Sequence, residues 1–153
     1  MRARNLLLVL LAALLLVAAG CGGGEPSPED YAQAVVLNRN RVDFVLARIT
    51  RAKSQDELIA RMDEAALLIG KAGDELDDKG APADFQPEAD DLVKSLRQLS
   101  VDIQATADQV RQPGFENLFE GTRGLSFDSW DDVNKALAGL AGKGVQVSIL
   151  QNH

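Results

Sequence analysis

The spacing of the apolar residues constrains what this chain can fold into. In three successive stretches, called seams here, apolar residues recur at alternating steps of four and three, which is the spacing of one face of an α-helix. The seams run from Tyr31 to Ile49, from Leu58 to Leu76 and from Ala89 to Val110. Such helices are each about 35 Å long, and matched lengths with short connections are typical of an up-down bundle. The sequence therefore predicts an all-α fold, an antiparallel helical bundle of three long helices plus a shorter C-terminal helix.

Capping residues mark where the first two helices begin and end. Ser27 is a predicted N-cap, followed by a proline at the first helical position, and this helix is predicted to run to about Thr50. Ser54 and Glu57 have the spacing of a capping box for the second helix, and Gly80 is the predicted left-handed cap at its end. Because no glycine marks the turn between the two helices, a bent continuous helix is the alternative to an antiparallel hairpin.

The rest of the chain predicts two more helices and a tail. The third helix begins near Pro87 and ends before Pro113, and the last helix opens at Ser126 with a seam that starts at Trp130. Residues 145–149 alternate apolar and polar side chains as a strand would. With no second strand to pair with, they are interpreted as an extended C-terminal tail laid on the bundle.

One polar residue, Asn38, interrupts the first seam. A buried asparagine at such a position can fix the register between helices. Exposure to solvent near the rim of the helix is the simpler interpretation, and it is the one that we expect.

The first two dozen residues differ from the rest of the chain. A basic start is followed by an uncharged apolar run from Leu6 to Ala19. A core helix is disfavoured because the run is apolar on every face, and an uncleaved membrane span, the other alternative, needs about 20 mostly apolar residues. A basic start, a short apolar run and small residues at the exit are typical of a secretory signal. The exit consists of Ala18, Ala19, Gly20 and Cys21.

This exit resembles the lipobox of bacterial lipoproteins, in which a signal peptidase cleaves before a lipidated cysteine. The resemblance implies that Ala18, Ala19 and Gly20 form the cleavage motif and that Cys21 carries a covalent lipid. One departure is Ala18, because the family more often has leucine at that position. An ordinary free thiol is the alternative for Cys21, which has no second cysteine with which to form an internal disulfide.

The lipobox divides the chain into three parts. Residues 1–20 are the signal peptide that is removed, and residues 21–28 are the lipidated cysteine with a flexible Gly/Pro tether that reaches at most roughly 23 Å. Residues 29–153 are a single helical-bundle domain. The lipid would hold this domain at the extracytoplasmic face of a bacterial cell membrane, and the composition is similar to that of small helical envelope lipoproteins of GC-rich bacteria such as actinobacteria.

The charge of the chain limits its partners. The formal net charge is −7 at pH 7, and it becomes more negative when the signal leaves with its two arginines. An acidic body lacks the basic face that binds nucleic acid or an anionic bilayer. We therefore expect no nucleic acid, and the expected partners are the membrane, through the lipid anchor, and another envelope protein.

Residues for nucleophilic or metal chemistry are sparse. The only histidine is His153 and the only cysteine is Cys21, so no Ser-His, Cys-His or zinc arrangement is expected, and no cofactor beyond the lipid. Adjacent acidic pairs remain, but on a helix their side chains point about 100° apart, and most of them cap helices or face solvent. Asp77 and Asp78 lie at a predicted helix C-terminus, where negative charge is unfavourable, and are the weak candidates for a divalent-cation site.

An aromatic cluster is the other candidate site. Its predicted members are Phe115, Phe119, Phe127 and Trp130. Such a cluster can line a small-ligand pocket or contact a partner. Closing one end of the aliphatic bundle is the interpretation that we favour.

These observations predict a membrane-anchored extracytoplasmic lipoprotein that acts as a non-enzymatic binding or structural module at the cell envelope. The alternative is a lipoprotein that binds a small ligand or a divalent cation, or a hydrolase that uses carboxylates alone.

Overall fold

The computed structural model describes residues 26–115 and 128–151 of the chain. Four α-helices are packed together, and a 3-10 turn, Ala83–Phe85, directly precedes the third of them. The helices are α1 (Pro28–Ile49), α2 (Gln55–Lys79), α3 (Gln86–Val110) and α4 (Asp128–Gly142). Neither of the two described ranges contains a strand. The predicted all-helical fold is confirmed, whereas the predictions for residues 1–24 lie outside the described residues.

The caps of α1 and α2 explain where these helices begin. The Ser27 hydroxyl accepts the backbone N–H of Asp30 at 3.3 Å, and the Ser54 hydroxyl accepts that of Glu57 at 3.2 Å. The predicted capping box is altered in one respect: the Glu57 carboxylate accepts the backbone N–H of Lys53, at 2.7 Å, instead of that of Ser54. This backbone hydrogen bond lowers the pKa of the Glu57 carboxyl. Because the chain leaves the helical conformation between α1 and α2, the bent continuous helix is wrong.

The core is aliphatic and is built from the predicted seams. In the described part of the chain, α3 has extensive contacts with both α2 and α4, α1 packs mainly on α2, and α1 and α4 have no extensive contact with each other. Side chains that are fully shielded from solvent come from every helix: Val35, Ile49, Leu58, Ile69, Leu99, Ile103 and Leu140. One side of the core, between α1 and α4, is therefore not closed by helix-on-helix packing.

Small residues allow α2 and α3 to approach closely. A Cβ atom added at Gly70 would lie 3.1 Å from the Ser100 hydroxyl oxygen, and one at Gly73 would lie 3.4 Å from the backbone oxygen of Val93. In the space so left, the Ser100 hydroxyl donates to the backbone oxygen of Ala66 at 2.6 Å. This close packing accounts for the extensive contact between α2 and α3.

The expectation that Asn38 faces solvent is wrong, because only 5% of the residue is exposed. Its side-chain amide donates to the backbone oxygen of Ala34 at 3.1 Å, and its side-chain oxygen accepts from the Arg41 guanidinium at 3.1 Å. Since both polar atoms have partners within α1, the residue can be buried without an unpaired polar group. These hydrogen bonds link it to its own helix and not to a neighbouring one.

Unlike Asn38, Tyr31 is buried without a partner for its polar atom. It is fully shielded from solvent, and its hydroxyl has no hydrogen-bond partner within the described residues. The ring lies 6.2 Å from that of Phe85, centroid to centroid. Burial, and secondarily the charge of Asp90, raises the pKa of Tyr31 to about 12. The hydroxyl therefore contributes a desolvation cost that no hydrogen bond offsets.

We predict that Tyr31→Phe increases the free energy of unfolding at pH 7 by about 1 kcal/mol, because the substitution removes an unpaired buried hydroxyl. The pKa of Tyr31 is about 12 in the folded chain and about 10 when unfolded, so below pH 10 the difference between the two proteins does not depend on this ionisation. As pH rises from about 10 to about 12, the unaltered chain loses further stability, since its unfolded state ionises first, and the advantage of the variant grows. Urea denaturation of both proteins across this range measures the difference.

Because Tyr31 is the only tyrosine, phenolate absorbance reports its ionisation directly. Lower stability of the variant at pH 7 would mean that the hydroxyl has a partner that the described residues do not include.

Candidate binding cleft

Residues 145–151, called here the C-terminal segment, follow α4 and run between α1 and α4. Val145 and Leu150 are buried, whereas Ile149 is 53% exposed. The segment thus lies on the bundle without forming a strand, as the tail interpretation expected. The alternation holds through half-buried Val147 and exposed Ser148 but fails at the next two positions, where Leu150 and not Ile149 is buried. The backbone N–H of Val147 donates to the oxygen of Val145 at 2.8 Å, which is a γ-turn.

Arg39 of α1 binds the backbone of the C-terminal segment. Its Nε donates to the backbone oxygen of Ser148 at 3.1 Å, and its Nη2 donates to that of Ile149. Only 9% of the side chain is exposed, and the carboxylate of Asp43 lies 3.6 Å from the guanidinium. The charge is therefore buried with hydrogen bonds and a counter-charge, the condition under which a buried ion is tolerated.

Two further side chains accept hydrogen bonds from the segment. The backbone N–H of Leu150 donates to the Asn134 side-chain oxygen at 2.7 Å, from α4. The backbone N–H of Gln151 donates to the Asp43 carboxylate at 2.8 Å, from α1. Backbone groups that a β-sheet would pair with another strand are thus paired with side chains from two helices.

Leu150 anchors the segment in the core. The residue is 2% exposed, and it faces apolar side chains from all four helices: Val35, Val42, Leu76, Leu92, Leu96, Val133 and Leu137. The space left beside it is about 10 Å³, which is near the lower limit for holding one water molecule. Leu150 therefore closes the side of the core that α1 and α4 leave open.

A surface cleft of about 530 Å³ adjoins the segment. Its lining combines Arg39, Trp130, Asp131 and Asn134 with residues 148–151. Trp130 is half-buried, and Asp131 is exposed in the first turn of α4, where a carboxylate is favoured by the helix dipole. An indole ring, a carboxylate and amide groups equip this cleft to stack on a ligand and to hydrogen-bond with it.

The predicted aromatic cluster is only partly represented in the structure. Trp130 lines the cleft, and both Trp130 and Phe115 are half-buried and pack against the core. Phe119 and Phe127 lie outside the described residues. The predicted start of the α4 seam at Trp130 is therefore a half-buried position, and the neighbouring Ser129 is buried and donates its hydroxyl to Asp102 of α3.

Both residues of the acidic pair near the end of α2 are exposed. Asp77 accepts a hydrogen bond from the Arg97 guanidinium at 2.8 Å, as does Asp74. The hydrogen bonds that Arg97 donates to Asp77, and then to Asp74, raise the pKa of Arg97. The guanidinium explains how negative charge is accommodated at this C-terminus. Within residues 26–115 and 128–151, no group of three or more potential ligands could hold a metal ion.

The residues that hold the C-terminal segment were not predicted from the sequence. Arg39, Asp43 and Asn134 are polar residues on helix surfaces, and Leu150 lies one residue beyond the alternating pattern. The available signal was the run Asn38 to Arg41, four polar residues within an otherwise apolar seam. That run marks a polar site on α1, but it does not indicate which segment binds there.

Comparison with known proteins gives no relative from which a function can be inferred. No protein-family model matches the chain, and neither a curated protein nor a solved structure shows significant similarity to it. Among the helices of the described ranges, none combines the length and the hydrophobicity needed to cross a bilayer.

We predict that Leu150→Ala lowers the free energy of unfolding by about 2 to 5 kcal/mol, because it leaves a cavity among apolar side chains. The matched control is Ile149→Ala, the adjacent residue, whose exposed side chain should contribute less than about 0.5 kcal/mol. Urea denaturation followed by the fluorescence of Trp130, the only tryptophan, measures both. Equal effects of the two substitutions would contradict an anchoring role for Leu150.

Proposed function

We propose that this chain is a lipid-anchored lipoprotein at the extracytoplasmic face of a bacterial membrane, where it acts as a non-enzymatic binding module. The observation that carries the binding function is the cleft beside the C-terminal segment. Its volume, about 530 Å³, is within the range of about 300 to 1,000 Å³ that is typical of ligand sites. The lipobox-like exit before Cys21 supports the anchor.

The finer arrangement that we propose is an antiparallel up-down bundle. It is supported by cross-helix contacts in which residue numbers rise along one helix as they fall along the next. These contacts join Arg41 to Glu75, Arg48 to Glu64, Asp74 to Arg97, Gln55 to Val110, Asp102 to Ser129, and Glu88 to Lys143. In such a bundle, α1 begins at the same end at which α2 and α4 finish.

This arrangement orients the cleft relative to the membrane. Pro26 of the tether lies beside the end of α2, because a Cβ added at Gly80 would be 3.7 Å from it. Arg39 is about 16 Å along α1 from Pro28 at 1.5 Å per residue, which is about half of the helix, and Ser129 beside Trp130 contacts Asp102, about two thirds of the way along α3. We therefore propose that the cleft lies on the side of the bundle, away from the tether, where other proteins of the envelope can reach it.

The anchor is tested by Cys21→Ala in the full chain expressed in a bacterium that processes lipoproteins. We expect the unaltered chain to incorporate a labelled fatty acid and the variant not to, because the variant lacks the thiol that forms the thioether. Ser27→Ala, outside the lipobox, is the matched control and should be labelled like the unaltered chain. Absence of label from the unaltered chain would contradict lipid anchoring and favour an uncleaved span.

The binding function is tested by a photo-crosslinking amino acid at Asp131, which is exposed in the cleft, and separately at Lys71, which is exposed on α2. We expect reproducible crosslinks to one envelope protein from position 131 and not from position 71. Equal labelling from both positions, or none from position 131, would contradict a binding role for the cleft.

A further inference from the structure

The groove between α1 and α4 recognises the backbone of the segment that lies in it. Arg39 donates to the backbone oxygens of Ser148 and Ile149, and Asn134 and Asp43 accept the two following N–H groups, at 2.7 and 2.8 Å. Four backbone groups, from three consecutive peptide bonds, thus form hydrogen bonds with side chains from two helices. Hydrogen bonds of this kind do not depend on the sequence of the segment that makes them.

The groove selects the side chain of its occupant at one position. The side chains of Ser148, Ile149 and Gln151 are exposed, and Leu150 alone enters the core. The space remaining beside it is only about 10 Å³, so the pocket is filled by a leucine-sized side chain. Main-chain hydrogen bonds with one apolar anchor are the elements by which proteins bind extended peptides.

Residues 148–151 can leave the groove without breaking a helical hydrogen bond. They follow α4, beyond Gly144, whose φ of +99° is a conformation that favours glycine. All four of the contacts that hold residues 148–151 by their backbone come from side chains. The start of the segment is held differently, because the backbone N–H of Val145 donates to the backbone oxygen of Leu140 in α4 at 3.1 Å. The groove for residues 148–151 is therefore lined by side chains of the helices.

We propose that this groove binds an extended segment of a partner protein in place of residues 148–151, with a leucine-type side chain in the position of Leu150. The proposal rests on the binding function proposed for the cleft, but not on the lipid anchor. Asp131 is exposed in the cleft beside Ser148, so a basic residue of the partner two positions before the anchor complements the site. The chain's own segment acts as an intramolecular competitor that only a better-matched segment displaces.

A partner protein is favoured over a second copy of this chain. Two copies that exchanged their C-terminal segments would form the same contacts that each already makes within itself. Such an exchange gains no new interaction and loses translational and rotational freedom. A partner segment that also contacts Trp130 and Asp131 makes interactions that the chain's own segment leaves unused.

The test uses the full chain in detergent and a fluorescent peptide with the sequence of residues 145–151. We expect Leu150→Ala to bind this peptide at least about tenfold more tightly than the unaltered chain does, because its own segment competes less well. The same peptide with alanine at the Leu150 position should not bind. A peptide with Ser148→Arg should bind more tightly than one with Ser148→Glu.

A second variant allows the same test if Leu150→Ala does not fold. Gln151→Pro removes the backbone N–H that donates to Asp43 but keeps the anchor residue, so it loosens the segment and leaves the groove intact. The proposal is overturned if neither variant binds the peptide while at least one still unfolds cooperatively. It is also overturned if the unaltered chain forms a dimer that the peptide dissociates, since the occupant is then a second copy.

These outcomes are distinct from a failure of the binding function itself. If position 131 crosslinks to an envelope protein but neither variant binds the peptide, the module binds a partner by another mode and the extended-segment proposal falls. Adding Arg39→Met to Leu150→Ala should abolish peptide binding, because two of the four backbone hydrogen bonds are lost.

Discussion

An apolar helix face must be shielded from water, and this constraint explains why the C-terminal segment packs between α1 and α4. In the described residues, α1 and α4 each have extensive contact with only one other helix, so the core is open between them. With 15 residues, α4 is also shorter than α1, which has 22. Leu150 fills the opening, and Arg39 holds the segment that carries it. The fold thus depends on a peptide segment where a bundle of matched helices would have a fourth interface.

The sequence was sufficient for the helices because the signals that define them are local. Seams at steps of four and three and capping serines act over a few residues, and α1 begins and α2 begins where Ser27 and Ser54 predicted. Asn38 was misjudged for a physical reason: its polar atoms are paired with Ala34 and Arg41 of the same helix. That pairing removes the penalty on which the expectation of exposure was based.

The cleft was far less predictable, because it depends on contacts between distant parts of the chain. Arg39 and Ile149 are separated by 110 positions, and no local pattern joins them. The alternation of residues 145–149 predicts an inward side chain at Ile149, whereas Leu150 is the residue that is buried. Trp130 is one of the four aromatic residues that the sequence offers either for a pocket or for closing the bundle, and it lines the cleft, but its neighbours there could not be predicted.

The position of Leu150 in the chain has a consequence for the order of folding. The residue follows all four helices in sequence, so the helices emerge from the ribosome before the side chain that completes their core. Contacts between the first helix and the last segment close the longest loop of the fold, and such contacts form late. Until then the nascent chain retains an uncovered apolar groove.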